Sequence, residues 1–302
     1  MSSSPAQLLL VGASGKQGGA TLNALLAAGH PPPAITCLTR NVDSPAAQKI
    51  KEKGCQLVKG SLTDIPSLKE ALKGKDAAFL VTVIPEKGQP VEEEQGRNFI
   101  SAASATNLPY LVFTSVASAS PSCGIPHFES KARIEESLKD SGIKHSILRP
   151  VAFFDNWPKQ SGVAQMMALG LFDAALKGKP LQMVSCDDIG HFAAQALLNP
   201  DKFSGRTIDL AGDELTMEQA RQIYAEVHGG WLPTMKAWIP GVALLALPYD
   251  LRMMFYMYGS WTSLRRSQWF HNEGYKVSIP SVKSEHPALL TLEDWLRKKD
   301  DE

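Results

Sequence analysis

What this chain lacks narrows its class before any motif is found. In 302 residues, 31 Lys and Arg are matched by 31 Asp and Glu, so the formal charge is zero. A protein that draws its affinity from phosphate backbones carries a basic excess, and nucleic acid is therefore not an expected partner. Cysteine is scarce: Cys37, Cys55, Cys123 and Cys186 stand far apart, with no C-x-x-C pair and no histidine at metal-ligand spacing. They read as reduced thiols packed as small hydrophobes, and no metal site is expected. The longest apolar run, residues 237–249, contains Pro240 and Pro248 and is followed by Asp250 and Arg252, too short and too interrupted to span a bilayer. The first residues show no basic segment ahead of an apolar one, so no secretory leader is expected. The expectation is a soluble, cytoplasmic protein with no membrane partner. No Gly-x-Ser-x-Gly elbow appears, which leaves a hydrolase reading without its signature.

What is present is apolar in bulk, 44% of residues, on a chain long enough for two lobes and a large core. The first half alternates apolar β-rich runs with amphipathic segments, the pattern of parallel strands joined by crossover helices. Strands are predicted at residues 7–11, 34–39, 56–58, 77–84, 110–114 and 145–148. Their near-continuous apolar character suits a sheet covered on both faces. Ser44 with Pro45 opens a helix that Gly54 closes, and Asp64 opens another that ends near Gly74. After Val151 the regularity fails. Phe153, Phe154, Trp157, Met166, Met167 and Phe172 follow in quick succession, and Trp231, Trp238, Tyr249, Tyr256, Tyr258, Trp261 and Trp269 punctuate a helical C-terminal part. Between these lie a strand at 181–184, a helix at 188–198 and a strand at 207–210. Asp187 and Asp188 read either as paired carboxylates or, more plainly, as a cap for that helix.

The start of the chain carries the strongest local signal. Residues 8–11 run into Gly12-Ala-Ser-Gly15-Lys16-Gln17-Gly18-Gly19, and residues 20–28 are good helix formers. A glycine turn between a first strand and a first helix is where backbone amides and the helix dipole meet a pyrophosphate. Gly12 permits the tight turn, Gly15 the close approach of phosphates, and Gly18 the packing of helix on sheet. The second strand ends in Leu38-Thr39-Arg40-Asn41, a guanidinium where an NAD site offers a carboxylate. Arg40 can clamp a 2′-phosphate that an acid would repel, so the cofactor expected is NADP. Lys16, inside the turn, reads either as a second positive charge on the same phosphate or as a solvated loop lysine, and Asp43 is the nearby acid that argues the other way.

The fold expected is α/β: a doubly wound parallel-sheet Rossmann core over residues 1–150, its sheet completed by residues 181–211. A smaller, mainly helical substrate lobe is expected from 151–180 and 212–302.

Chemistry in such folds gathers at the carboxyl ends of strands. Ser115 leaves the fifth strand in the segment Phe113-Thr-Ser115-Val-Ala-Ser118. His127 and Lys131, four apart, share one face of a helix. A lysine there can bind ribose hydroxyls and act as a fixed cation on a neighbouring proton donor.

Together the turn Gly12–Gly18, Thr39-Arg40, the Ser115 segment, His127-x-x-x-Lys131 and the segment from Ile147 to Asn156 resemble the NmrA-like family, an atypical branch of the short-chain dehydrogenase/reductases. The resemblance runs through Gly212-Asp-Glu-Leu-Thr216, Gly274-Tyr275 and His286-Pro287. It implies that Gly12, Gly15, Lys16, Gln17 and Gly18 face the pyrophosphate, Arg40 and Asn41 the 2′-phosphate, and Val81, Thr82 and Val83 the ribose. It implies also that Lys131 binds the ribose and that Pro150 to Phe153 lie against the nicotinamide. Two departures stand out. Gly60-Ser61-Leu62 replaces the Gly-Asp-Leu often found beside the adenine, and His127 occupies the tyrosine position of the short-chain Tyr-x-x-x-Lys pattern. Histidine exchanges a proton near neutrality, so His127 with Lys131 and Ser115 remains the candidate catalytic set.

Three functions share these features. One is an NADP(H)-dependent oxidoreductase acting on a small organic molecule with apolar surface. Another is a non-catalytic NADP-binding redox sensor with a protein partner. The third is a non-redox cyclase or isomerase that keeps the dinucleotide as a scaffold.

Overall fold

The computed structural model describes residues 4–83, 92–157, 173, 176–229 and 267–300. Met166, Met167, Phe172 and the aromatic residues from Trp231 to Trp261 lie outside the described residues, as do Ile84 and the apolar run 237–249. The chain divides into two compact units, Met1–Pro150 with Cys186–Asp209, and Val151–Ser185 with Leu210–Glu302.

The first unit is built on a seven-stranded sheet. Strands β1 (Leu8–Val11), β2 (Ile35–Thr39), β3 (Gln56–Lys59), β4 (Ala77–Val81), β5 (Tyr110–Thr114), β6 (Lys144–Pro150) and β9 (Thr207–Leu210) lie in the order β3-β2-β1-β4-β5-β6-β9. The pairings from β3 through to β6 are parallel. Every residue of β1 and β5 is buried, as their unbroken apolar runs demand. The crossovers are α1 (Lys16–Ala27), α2 (Pro45–Glu52), α3 (Ile65–Leu72), α4 (Glu92–Ala105) and α5 (Pro126–Asp140). Ser44 caps α2 by accepting from the Ala47 amide, and Asp64 caps α3 through Ser67. The chain works outward from β1 to β3 and then returns to β4, so β1 and β4 flank the point where strand order reverses. In open sheets of this kind, that point at the carboxyl ends of the strands is where ligands enter.

One face of the sheet is covered by α3, α4 and α5, whose Leu68, Leu72, Phe99, Ile100, Ile134 and Leu138 pack on Leu9, Leu80, Leu111 and Phe113. Two contacts fix α5. A Cβ on Gly96 of α4 would lie 2.7 Å from Ile134, so only glycine allows the two helices this approach. One residue further on, the buried Glu135 carboxylate accepts from Arg149 Nε of β6 at 2.8 Å. On the other face α6 (Cys186–Leu198) meets α1, with Gly190 so tight that a Cβ would sit 2.5 Å from the Ala20 carbonyl carbon. Asp187 and Asp188 fall inside the first turn of α6 rather than at its cap, where their charge still meets the positive end of the helix.

Sequence reading and structure differ at β8 (Leu181–Val184). It was expected to complete the main sheet, and only β9 of residues 181–211 does so. In the second unit β8 instead pairs parallel with β7 (Ala152–Phe153) and antiparallel with β10 (Asp213–Leu215). The physical reason lies in sequence order: β7 follows β6 after a single residue and β10 follows β9 after two, so two short strands outside the main sheet are on hand to pair with β8. The remainder of this unit is helical. Met217–His228 opens on a Thr216/Gln219 capping box, and Leu292–Asp300 places Trp295, fully buried, 5.9 Å from the Phe154 ring. No helix among the described residues is long and apolar enough to cross a membrane.

Candidate active site

The glycine turn leaves β1 and enters α1 as the sequence predicts. Gly12 adopts φ +72°, and a Cβ there would strike Val81 Cγ1 of β4 at 2.6 Å, so the turn is pressed into the reversal point. At Gly18 a Cβ would sit 2.2 Å from the Gly12 carbonyl oxygen, within the backbone of the turn itself. The Gly15 amide closes the turn by donating to Gly12 O at 2.8 Å. No side chain caps α1 at Gly15 and its first turn holds no acidic residue. The first-turn amides of a helix have no intrahelical acceptor, so this end suits an anion such as a pyrophosphate. Lys16 is exposed beside it, and Gln17 accepts from the Thr114 hydroxyl at 2.6 Å, which ties the turn to the end of β5.

At the end of β2, Arg40 is exposed, with its guanidinium unpaired among the described residues. Asn41 Oδ1 accepts from the Asp43 amide at 2.9 Å, so the loop after Arg40 is held by its own hydrogen bonds. Ser61, after β3, bonds Thr63 through its hydroxyl at 2.8 Å. Val83, two residues beyond β4, is 56% exposed.

The densest chemistry lies where α4 and α5 meet the ends of β4 and β5. Lys131, buried, donates to Thr82 Oγ1 at 2.8 Å and to the Thr114 carbonyl at 3.0 Å, and its ammonium lies 3.2 Å from Glu92 Oε1 and 5.1 Å from the Phe113 ring centroid. Thr82 Oγ1 donates to Glu92 Oε1 at 2.9 Å. Glu92 Oε2 accepts from Ser130 Oγ at 2.6 Å and contacts His127 Nδ1 at 2.8 Å. Burial alone would raise the Glu92 carboxyl. The Lys131 charge, His127 and the Ser130 hydrogen bond overcome it and hold the group well below the usual carboxylate range.

One expectation changes here. Lys131 is expected to turn its donors to a ribose; here its ammonium donates to Thr82 and to the Thr114 carbonyl and pairs with Glu92. It was also expected to act on His127 directly, and a carboxylate stands between them. Glu92 was missed in the sequence because it begins a run of three glutamates that reads as a solvated helix start. Its neighbour Glu93 does behave that way, pairing with Arg97 and Arg133. The signal that finds Glu92 is the demand of a buried lysine for a buried anion.

Ser115 is held by its amide, which donates to Leu148 O at 2.7 Å, while its buried Oγ has no hydrogen-bond partner among the described residues. It lies beside the Thr114 carbonyl that Lys131 binds, a buried hydroxyl of the kind that asks for an explanation. Pro150 ends β6, its carbonyl accepting from Ala117. Phe153, half-buried in β7, belongs to the second unit. The described residues hold no group of His, Cys, Asp and Glu able to bind a metal.

A doubly wound parallel sheet with a glycine turn at its reversal point defines a Rossmann-type α/β protein. The chain belongs to the NmrA-like family, whose model matches residues 5–287. At 23% identity it is similar to the NmrA-like family domain-containing oxidoreductase cpsB of Aspergillus campestris, over 98% of this chain and 97% of that one. Among solved structures it is similar to Citrobacter sp. triphenylmethane reductase complexed with NADP(H), with TM-score 0.76 and 19% identity over 97% of this chain and 99% of that one. NmrA, a negative transcriptional regulator, matches with TM-score 0.70 and 17% identity over 98% and 95%.

Proposed function

We propose that this protein is an NADP(H)-dependent oxidoreductase that acts on a small organic molecule with apolar surface. The observation that carries the reading is the continuity of the site. The turn meets β4 at Val81 and β5 through Gln17–Thr114, and Thr114 is in turn bound by Lys131 of the buried cluster. A glycine turn suited to an anion and a histidine held by a buried carboxylate are thus linked at the carboxyl ends of β4 and β5. The oxidoreductase and reductase names of its relatives point the same way. Gly12, Gly15, Lys16, Gln17 and Gly18 would hold the pyrophosphate, Arg40 and Asn41 the 2′-phosphate, and Ser61 with Val81 to Val83 the adenosine and ribose side. Pro150 and Phe153 would flank the nicotinamide.

When bound, the dinucleotide supplies hydride. His127 exchanges the accompanying proton and Ser115 orients the reacting oxygen. Purified protein mixed with NADPH and a panel of quinones, aldehydes and imines should show loss of absorbance at 340 nm with at least one of them. A rate no greater than that of Lys131→Ala with every substrate would overturn the reading.

The histidine in the tyrosine position and the likeness to a transcriptional regulator favour a second reading, an NADP-binding sensor without turnover. A sensor binds a partner protein differently with the two redox states of the dinucleotide, because a ligand shifts an equilibrium only by its differential affinity.

A further inference from the structure

Glu92 is 4% exposed and carries a full charge, an arrangement that costs several kcal/mol unless every lone pair is met. Here each oxygen has two partners: Thr82 and Lys131 at Oε1, Ser130 and His127 at Oε2. A carboxylate only accepts hydrogen bonds, so the proton of the His127–Glu92 contact sits on Nδ1. Nε2 then carries the lone pair of the neutral ring, and it has no partner among the described residues. His127 is also the most open member of the chain Lys131–Glu92–His127, with 19% of its side chain exposed against 4% for each of the others. The geometry is over-determined from behind. Glu92 lies one helical turn before Gly96, where α4 presses on Ile134, and Lys131 and Ile134 lie one turn apart on α5.

We propose that Glu92 is the positioning residue of this site, holding His127 in the Nδ1–H tautomer so that Nε2 is the atom that exchanges the proton with a ligand oxygen. This rests on the reading of His127 as the proton-exchanging group. In the reductive direction the Nε2–H bond of the imidazolium breaks as the O–H bond of the product alcohol forms. The hydride on the carbonyl carbon comes from the reduced dinucleotide, the ring returns to neutral, and it takes up one proton from solvent, which is the proton the reaction consumes overall. Lys131 and Thr82 belong to the support: they keep Glu92 ionised and fixed, and an orienting carboxylate behind a histidine is what sets which nitrogen does the work.

The test reads the tautomer directly and needs no substrate. In protein labelled with ¹⁵N at histidine, two-bond nitrogen–proton couplings recorded at pH 8 assign each ring, with His127→Gln identifying the resonance. The expected result is an Nδ1–H signature for His127. An Nε2–H majority overturns the proposal whatever the activity. Glu92→Gln supplies the kinetic arm: its amide can donate to Nδ1 and so permits the other tautomer. We expect kcat to fall about a hundredfold while the calorimetric Kd for NADPH moves less than about threefold, with partial recovery in Glu92→Asp. A folded Glu92→Gln protein with unchanged kcat would equally overturn the role. An Nδ1–H signature in a protein inert toward every carbonyl compound would support the positioning and remove the oxidoreductase reading instead, so the two failures are told apart.

Discussion

The glycine turn and the buried charge cluster are two halves of one candidate site made in opposite ways. The turn is built from backbone, by neighbours within a single stretch of chain, and side chains enter it mainly by their absence. The cluster is built from side chains at positions 82, 92, 127, 130 and 131 with the carbonyl of Thr114, brought together by helix packing on the far side of β4. The first kind of site tolerates no added atom. The second tolerates no lost partner.

Substitutions that violate each rule sharpen the contrast. The largest effect is expected where a partner is lost: Lys131→Met leaves the buried Glu92 carboxylate without its cation, and the protein should lose about 3–5 kcal/mol in urea unfolding at pH 7. Next is the added atom. Gly18→Ala places a methyl group on the Gly12 carbonyl, and we expect about 2–3 kcal/mol of destabilisation and at least a tenfold weaker calorimetric affinity for NADPH. Arg40→Ala should leave stability untouched, because the side chain is exposed. It should reduce the preference for NADPH over NADH by roughly ten- to a hundredfold, the worth of a charge-assisted contact of about 1.5–3 kcal/mol. Ser115→Ala is expected to be the mildest for stability, within about 1 kcal/mol of the parent, since the hydroxyl removed has no partner to lose. A large loss of stability there would show that the hydroxyl is engaged within the fold.

Acid adds a test specific to the cluster. Glu92 holds its proton less tightly in the fold than in the unfolded chain, where a glutamate titrates at about 4.3. The stability it contributes is therefore complete above that value and drains away as pH falls below it. Unfolding free energy measured from pH 6 down to pH 3 should fall more steeply in the parent than in Glu92→Gln, which has no proton to take up at that position.

What could be read from sequence divides along the same line. The turn, the parallel strands and the caps at Ser44 and Asp64 are local: their residues are contiguous, and apolar runs or φ requirements announce them. The place of Arg40 at the end of β2 was legible in the same way, because the strand before it announces itself. The pairing of β8 was not, because a strand of Leu-Gln-Met-Val says that it will pair and not with which sheet. Nor was Glu92, which is 35 residues from its imidazole partner, in a run of acids that looks like ordinary solvated charge. Its burial shows only in the fold, one turn before the Gly96–Ile134 contact of α4 with α5. The spacing of His127 and Lys131 put them on one helix face but could not show Glu92 between them, since four-residue periodicity says nothing about the helix opposite.

Thr114 is shared property. Its hydroxyl belongs to Gln17 and the turn, and its carbonyl belongs to Lys131 and the cluster. A ligand that displaces the turn therefore tugs on the same residue that anchors the cation behind Glu92. Linkage makes any such influence mutual: the factor by which an occupied cradle alters proton affinity at the imidazole equals the factor by which a proton there alters occupancy of the cradle.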